Sequence, residues 1–319
     1  MNNKKIVLAG GSGFLGRTLT KYFARRGFDI TILSRKNGVD PCARIVQWDG
    51  RTVGAWTRVL EGAEALINLS GRSVDCRYTP KNRKQIIDSR VESTTVLEEA
   101  IARCAIPPKL WINMSTATIY KHNFDAPHDE ANGEIGATPE ANDTFSVGVA
   151  KAWEDAFNNT NTPKTRKLLL RSSLVFGPET GGAYHVLRNL ARFGLGGKVL
   201  DGRQWVSWIH SCDFCRAVDS LIHHQECEGI YNVCSPNPLS NKEFTRLLRR
   251  SVRMPIGLPA TRWILAIGCF LLRTQPELVI KSRNVIPRRL LDDGFQFQFP
   301  ELKEAIDALS AYPNSPEDS

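Results

Sequence analysis

The feature that most constrains the fold lies within the first sixteen residues. KIVLA, residues 5–9, is a short apolar run that reads as a buried strand, and GGSGFLG, residues 10–16, follows it at once. Gly10, Gly13 and Gly16 recur at every third position. Glycines so placed permit a tight turn, close approach of a pyrophosphate and tight packing of the helix that follows. The N–H groups at that helix start then face the anion. After a strand and before a helix, the run Gly10, Gly11, Ser12, Gly13, Phe14, Leu15, Gly16 predicts a dinucleotide-binding turn. A purely structural glycine turn is the alternative.

The chain keeps the same rhythm through its first half. Phe14 to about Arg26 reads as a helix, and FDITILS (28–34), RIVQW (44–48), EALINLS (64–70), KLWINMS (109–115) and KLLLRSS (167–173) read as strands. A long helical stretch runs from Pro80 to about Cys104. Short apolar strands separated by helices predict an α/β fold, a Rossmann-type doubly wound parallel sheet covered on both faces. A polar loop, roughly His122 to Thr144, follows the fifth strand at the carboxyl end, where ligands sit in open α/β sheets. After residue 173 the rhythm breaks at Gly177-Pro178, Gly181-Gly182 and Gly194 to Gly197, and one strand returns at GIYNVCS, 229–235. The expected organisation is a dinucleotide-binding domain over 1–172 with a return segment near 205–235. A smaller, mainly helical substrate lobe over 173–204 and 236–311 precedes a polar tail, 312–319.

Composition narrows the class. Of 319 residues 42 % are hydrophobic and 24 % charged, enough apolar material for a full core without disulfide staples. Only four apolar residues, Ile6 to Ala9, follow the basic start, too few for a secretory h-region, so the eight cysteines read as reduced thiols of a cytoplasmic protein. Cys212-x-x-Cys215 has zinc-like spacing without a second pair, which favours two helix-packing thiols and no metal. The net charge of +9 suits an anionic ligand. RLLRRSVR, 246–253, falls on an amphipathic helix with Phe244, Leu247, Leu248 and Val252, and no aromatic residue interleaves with its charge. It reads as a solvated helix face, with no nucleic-acid partner expected. WILAIGCFLL, 263–272, lies between Arg262 and Arg273. A bilayer span takes about 20 residues, so this run reads as a buried helix, with a docking surface as the alternative and no membrane partner.

Which nicotinamide cofactor the turn would take is read at the end of the second strand. Asp or Glu there would bond the ribose hydroxyls of NAD; here the residues are Ser34-Arg35-Lys36. A guanidinium grips a 2′-phosphate, which favours NADP(H), unless Arg35 merely caps a loop. Asp49, after the third strand, is placed to accept from an adenine amino group, and Leu69-Ser70-Gly71 ends the fourth strand where the middle of the cofactor must pass. Ordinary turn chemistry accounts equally for both.

These features together resemble the extended short-chain dehydrogenase/reductases, the superfamily that includes nucleotide-sugar epimerases. NLSGRSV, KQIIDSRVEST, KLWINMSTATIY, KAWE and QWVSWIHSCD, in that order, narrow the resemblance to an atypical epimerase-like branch with an extra C-terminal domain of unknown function. VIPRRLLDDGFQFQFPELKEAI, 285–306, resembles that domain. The resemblance covers nearly the whole chain and implies NADP(H) binding, with cofactor contacts at Gly10 to Gly16, Ser34, Arg35, Leu69, Ser70, Gln85, Arg90 and Val175. On their own, Gln85 and Arg90 read as solvated helix polarity.

In that superfamily a tyrosine phenol donates a proton as hydride arrives, and a lysine four residues on lowers its pKa. In FSVGVAKAWEDAF, 145–157, Lys151 is present but Val147 occupies the phenol's place, and none of the six tyrosines has lysine four residues later. Lys151 is left either to bond the nicotinamide ribose or to sit solvated. Ser115 and Thr116 end the fifth strand, where the resemblance places a hydroxyl that polarises the substrate carbonyl. Tyr120 is the candidate proton donor; an unassisted phenol of pKa about 10 is a better acid than base, which favours carbonyl reduction. Packing as a loop aromatic is its alternative. His210 is a second candidate donor, with Trp205 and Trp208 as walls of an apolar substrate pocket, against a structural role for the histidine. Ser211 or Asp213 looks like the cap of the next helix. No nucleophile elbow or H-E-x-x-H run is present. The expected activity is NADP(H)-dependent oxidation or reduction of a small alcohol or carbonyl substrate. The alternative is a non-catalytic NADP(H)-binding sensor or assembly protein; Arg35 and the missing tyrosine disfavour nucleotide-sugar epimerisation.

Overall fold

A computed structural model describes residues 4–271 and 274–311. The apolar runs of the first half form β1 (Lys5–Ala9), β2 (Asp29–Ser34), β3 (Arg44–Gln47), β4 (Ala65–Asn68), β5 (Leu110–Thr116) and β6 (Arg166–Ser172). Between them lie α1 (Phe14–Ala24), α2 (Pro80–Ala102) and α3 (Thr144–Asn158). Then come β7 (Leu174–Phe176), α4 (Ala183–Arg192), β8 (Trp205–Val206), β9 (Trp208–His210), α5 (Ser211–His223), β10 (Gly229–Val233) and β11 (Leu239–Ser240). The chain continues through α6 (Asn241–Ser251), α7 (Arg262–Leu271), α8 (Glu277–Ile280), α9 (Arg288–Asp292) and α10 (Leu302–Ala311). The polar tail 312–319 lies outside the described residues.

One seven-stranded sheet runs in the order β10-β6-β5-β4-β1-β2-β3, and β1 to β6 are joined in parallel register. The central stretches of β1, β2, β4 and β5 are apolar and buried without alternation, as expected of a sheet covered on both faces. Strand order reverses between β1 and β4, whose last residues, Ala9 and Asn68, are register partners. In an open α/β sheet, a ligand binds beyond the carboxyl ends at such a reversal. The residues immediately after Ala9 and Asn68 therefore set the site.

The chain divides into two compact units. One comprises the chain up to Ile119 with Phe145–Ser172 and Cys215–Tyr231; the other comprises Tyr120–Thr144, Ser173–Phe214 and the chain from Asn232 onward. The loop at 120–144 thus belongs with the C-terminal segments, and the return to the first unit is the shorter piece 215–231. The first unit buries Val7, Leu33, Leu66, Leu97, Trp111 and Phe157 together, with Trp111 edge-on to Phe157 at 4.8 Å. Each such side chain contributes about 1.5–3 kcal/mol on full burial. Helix α2 begins at Thr79, whose hydroxyl accepts from Asn82 N–H at 3.3 Å, with Pro80 in the first turn.

The second unit pairs β7 with β9 in parallel and β8 with β11 antiparallel. Its core gathers Phe176, Tyr184, Trp208, Phe244, Leu248, Leu302 and Ile306. Helix α6 is capped by Ser240, buries Phe244 and Leu248, and exposes Arg246 and Arg250, the solvated arginine face expected from its pattern. Helix α7 overturns its expected burial. Trp263 is 83 % exposed and Phe270 65 %, while Cys269 on the opposite side is buried. Among the described residues, no helix is long and apolar enough to cross a membrane.

Candidate cofactor and active site

In the first unit, the glycine turn is shaped by close contacts. Gly10 has φ +73°, and a Cβ there would lie 2.8 Å from both Cα and Oγ of Ser70. A Cβ on Gly16 would fall 2.0 Å from the Gly11 carbonyl oxygen. Gly13 is different: it caps α1 with extended backbone, no side chain caps the helix, and a Cβ there would meet nothing within 4 Å. The first N–H groups of a helix have no partners within it. No side chain caps them here and Gly13 puts no Cβ beside them, which suits the start of α1 to an anion.

The ends of the neighbouring strands complete this region. Gly10 N–H donates to Leu33 O at 2.9 Å, holding the end of β2 against the turn, and Leu69 N–H donates to Ala9 O at 2.8 Å. Ser34 is buried, its hydroxyl accepting from Lys36 N–H at 3.2 Å, and Arg35 is exposed beside it. Ser70 is fixed by Asn68, whose Oδ1 accepts Ser70 N–H at 3.1 Å while its Nδ2 donates to Asn113 Oδ1 at 2.7 Å. The buried Ser70 hydroxyl has no hydrogen-bond partner among the described residues. A hydroxyl left so costs about 1–3 kcal/mol unless a ligand or water satisfies it.

Arg90 reaches the same turn from α2, close enough that a Cβ on Gly71 would sit 2.9 Å from its Cζ. Its guanidinium stacks 5.0 Å over Trp153 and donates to the carbonyls of Arg72 and Ile86. Desolvation lowers its pKa to about 10. Gln85 is engaged nearby, its Oε1 accepting from Arg72. Asp49 is placed otherwise: its carboxylate accepts from the backbone of Arg51 and Thr52 and from the Thr52 hydroxyl at 2.6 Å, which lowers its pKa to about 2. Its oxygens serve their own turn, the turn chemistry that the sequence offered as the alternative to an adenine contact.

At the end of β5, Ser115 is buried and donates its hydroxyl proton to Glu154 Oε1 at 2.6 Å. Arg171 holds the same carboxylate with two bonds, Nε to Oε1 at 2.9 Å and Nη2 to Oε2 at 2.7 Å. Ser115 and Arg171 are register partners across β5 and β6, and Glu154 reaches both from α3. Sequence reasoning missed this triad, because Ser115, Glu154 and Arg171 carry no local spacing signal and meet only when three elements assemble. Val147 is buried in α3, while Lys151 is exposed.

In the second unit, Tyr120 is 1 % exposed and donates its hydroxyl to Asn232 Oδ1 at 2.9 Å. Its ring stacks on His128 at 5.2 Å, and a Cβ on Gly133 would lie 2.3 Å from it. Asn232 is held in turn, donating to Ile286 O and, through its backbone, to Glu130. Tyr120 is thus a packed loop aromatic whose proton is committed. Trp208 is fully buried against Phe176 and donates to Asn237 O at 3.2 Å, so it belongs to the core and does not wall a pocket. Trp205 is half-buried and donates to Phe124 O. Val175 is buried in β7, paired with Ile209. His210 takes the capping role expected of Ser211 or Asp213: its Nδ1 accepts Cys212 N–H at 3.1 Å. Asp213 instead accepts the backbone N–H groups of Gln298 and Phe299. With Nδ1 accepting, the neutral ring carries its proton on Nε2, which has no hydrogen-bond partner among the described residues, and desolvation lowers the pKa to about 4. Among the described residues, no group of three or more His, Cys, Asp or Glu is placed to hold a metal ion.

Residues 6–234 match the profile of the NAD dependent epimerase/dehydratase family. The chain belongs to that family. Residues 260–309, which include α7, match a domain of unknown function, DUF1731. Among relatives of this family, the epimerase family protein SDR39U1 of Bos taurus is 29 % identical over 311 residues, covering 96 % of this chain and 100 % of its own. The epimerase family protein YfhF of Bacillus subtilis (strain 168) is 28 % identical over 315 residues, covering 96 % of this chain and 98 % of its own. The crystal structure of human SDR39U1 (isoform 2) with NADPH superposes with a TM-score of 0.82 at 27 % identity, covering 97 % of this chain and 100 % of that one.

Proposed function

We propose that the chain binds NADP(H) at the glycine turn and acts as an oxidoreductase on a small carbonyl or alcohol substrate. The observation that carries this reading is the uncapped start of α1, with room at Gly13, in the same glycine turn as a Ser70 hydroxyl that has no partner among the described residues, at the reversal of strand order. The α1 N–H groups would hold the pyrophosphate, and Ser70 and Arg90 would face the middle of the cofactor. Arg35, exposed at the end of β2, would meet the 2′-phosphate. The relative crystallised with NADPH supports the same choice.

When bound, the nicotinamide supplies or takes up a hydride. Ser115 already gives its proton to Glu154, so what it offers a substrate is an oxygen lone pair. In alcohol oxidation the substrate hydroxyl proton passes to Ser115 Oγ as the Ser115 proton passes to Glu154 Oε1; carbonyl reduction runs the same transfers backwards. Tyr120, its hydroxyl given to Asn232, takes no part.

The test is NADPH oxidation against a broad panel of aldehydes, ketones and quinones. Ser115→Ala should lose about 100-fold or more in kcat with NADPH affinity kept, while Tyr120→Phe keeps its turnover. Loss of turnover in Tyr120→Phe alone would return the proton to the phenol. A second reading, a non-catalytic NADP(H)-binding sensor, is favoured by the buried Val147 at the phenol's usual place. Tight NADPH binding by wild type with no oxidation across the panel would favour it.

A further inference from the structure

We propose that the second unit carries a docking face for an anionic phospholipid surface, built by α7 and the two segments leading to it. Trp263, Ile267 and Phe270 recur at i, i+4 and i+7 of α7, with Ile264 beside them, and all four are at least half exposed. Leu265 and Cys269, on the other side, make the helix's inward contacts. Before α7, Ile256 and Leu258 are exposed at 65 % and 55 %, and Phe193 and Leu195, after α4, at 78 % and 51 %. These two segments form one surface: Leu258 N–H donates to Gly194 O at 2.8 Å, Ala260 N–H to Lys198 O at 2.9 Å and Arg249 Nη1 to Gly196 O at 2.6 Å. Isolated exposed apolar side chains need no explanation, but eight on adjoining segments do.

Charge identifies the occupant. Residues 244–276 contain six arginines and no Asp or Glu, with Arg246 paired to Glu243 just before the run and Arg249 bonded to Gly196 O, and residues 180–200 contain Arg188, Arg192 and Lys198 and again no acid. A second copy would bring two such surfaces together with no carboxylate from these segments to separate their cations. A protein groove would have to wrap a helix exposed around most of its circumference. A lipid surface needs neither. The helix lies in the plane of the interface with its apolar side sunk, Trp263 sits at headgroup depth, and the arginines reach the phosphates. The ten apolar residues that are too short to span a bilayer are long enough to lie on one.

The test is co-sedimentation of the full chain with phosphatidylcholine vesicles, plain or containing about one third phosphatidylglycerol. Binding should require the anionic lipid and weaken with added salt. It should fall at least about tenfold in Trp263→Glu/Ile267→Glu and in Arg250→Glu/Arg262→Glu. These side chains are exposed, so thermal unfolding of both variants should match wild type, which separates lost docking from lost fold. Absent binding to anionic vesicles, equal binding to neutral ones, or binding that survives Trp263→Glu/Ile267→Glu would each overturn the proposal. So would self-association in sedimentation equilibrium that Trp263→Glu abolishes without any vesicle binding, which would assign the face to a second copy.

Discussion

Two buried hydroxyls and two desolvated cations differ in whether their own unit supplies their partners. Tyr120 gives its hydroxyl to Asn232, and Lys281 forms a buried ion pair with Asp143. Both belong to the second unit, and both are satisfied within it. In the first unit, among the described residues, the Ser70 hydroxyl has no hydrogen-bond partner, and Arg90 has two carbonyls and an indole face but no carboxylate. Burial lowers the pKa of both cations, Lys281 to about 8 and Arg90 to about 10. An uncompensated polar group is costly inside a fold. Its presence beside the start of α1 marks bonding capacity reserved for an anion, whereas Tyr120 and Lys281 hold loops of the second unit together.

The contrast can be broken most forcefully at Asp143. If Asp143 and Lys281 are internal supports, Asp143→Ala takes from buried Lys281 the carboxylate it is paired with, leaving Glu277 as the acid that still acts on it, and takes from Thr138 N–H its acceptor. The expected loss is about 3–5 kcal/mol, read as a lowered midpoint in urea unfolding. An unchanged midpoint would mean that the pair is not buried in solution.

His210 sharpens the comparison, because it is a second-unit group with an unpartnered ring nitrogen. Its folded pKa of about 4 lies below the ordinary value of 6.5. The unfolded chain therefore binds more protons between those values, and stability falls as pH drops from 6.5 towards 4, by on the order of 3 kcal/mol. His210→Asn, whose amide oxygen can still accept Cys212 N–H, should flatten that part of the stability–pH curve. An equally steep curve in the variant would place the titration elsewhere.

Much of this was legible in the sequence, for physical reasons that differ by region. The strands of the sheet were readable because runs such as KIVLA and EALINLS carry an unbroken apolar centre and are bounded by turns, and the glycine turn because its glycines follow the first strand directly at fixed spacing. The partners of Tyr120 and Ser115 were not readable. Asn232 lies 112 residues from Tyr120, and Glu154 and Arg171 reach Ser115 from a different helix and strand. The sequence of α7 misled for another reason. An apolar run reports that a surface avoids water, but not whether the chain itself supplies the cover. At Asp49 the alternative, turn chemistry, was legible, since Thr52 three residues on offers it a closed turn.

The central claim is that the open start of α1 takes the cofactor's pyrophosphate, and Gly13→Asp tests it most directly. Gly13 has φ −80° and free space around it, so aspartate fits without strain. As a helix cap, aspartate is expected to leave the thermal midpoint unchanged or raise it slightly, since Asp in place of a Gly cap adds only about a few tenths of a kcal/mol. Its carboxylate would occupy the helix start and repel phosphate. A fluorescence titration with NADPH should then show affinity at least about 100-fold weaker in the variant. Wild-type affinity in a fully folded Gly13→Asp protein would contradict the account, because the phosphates would then be held somewhere other than the glycine turn.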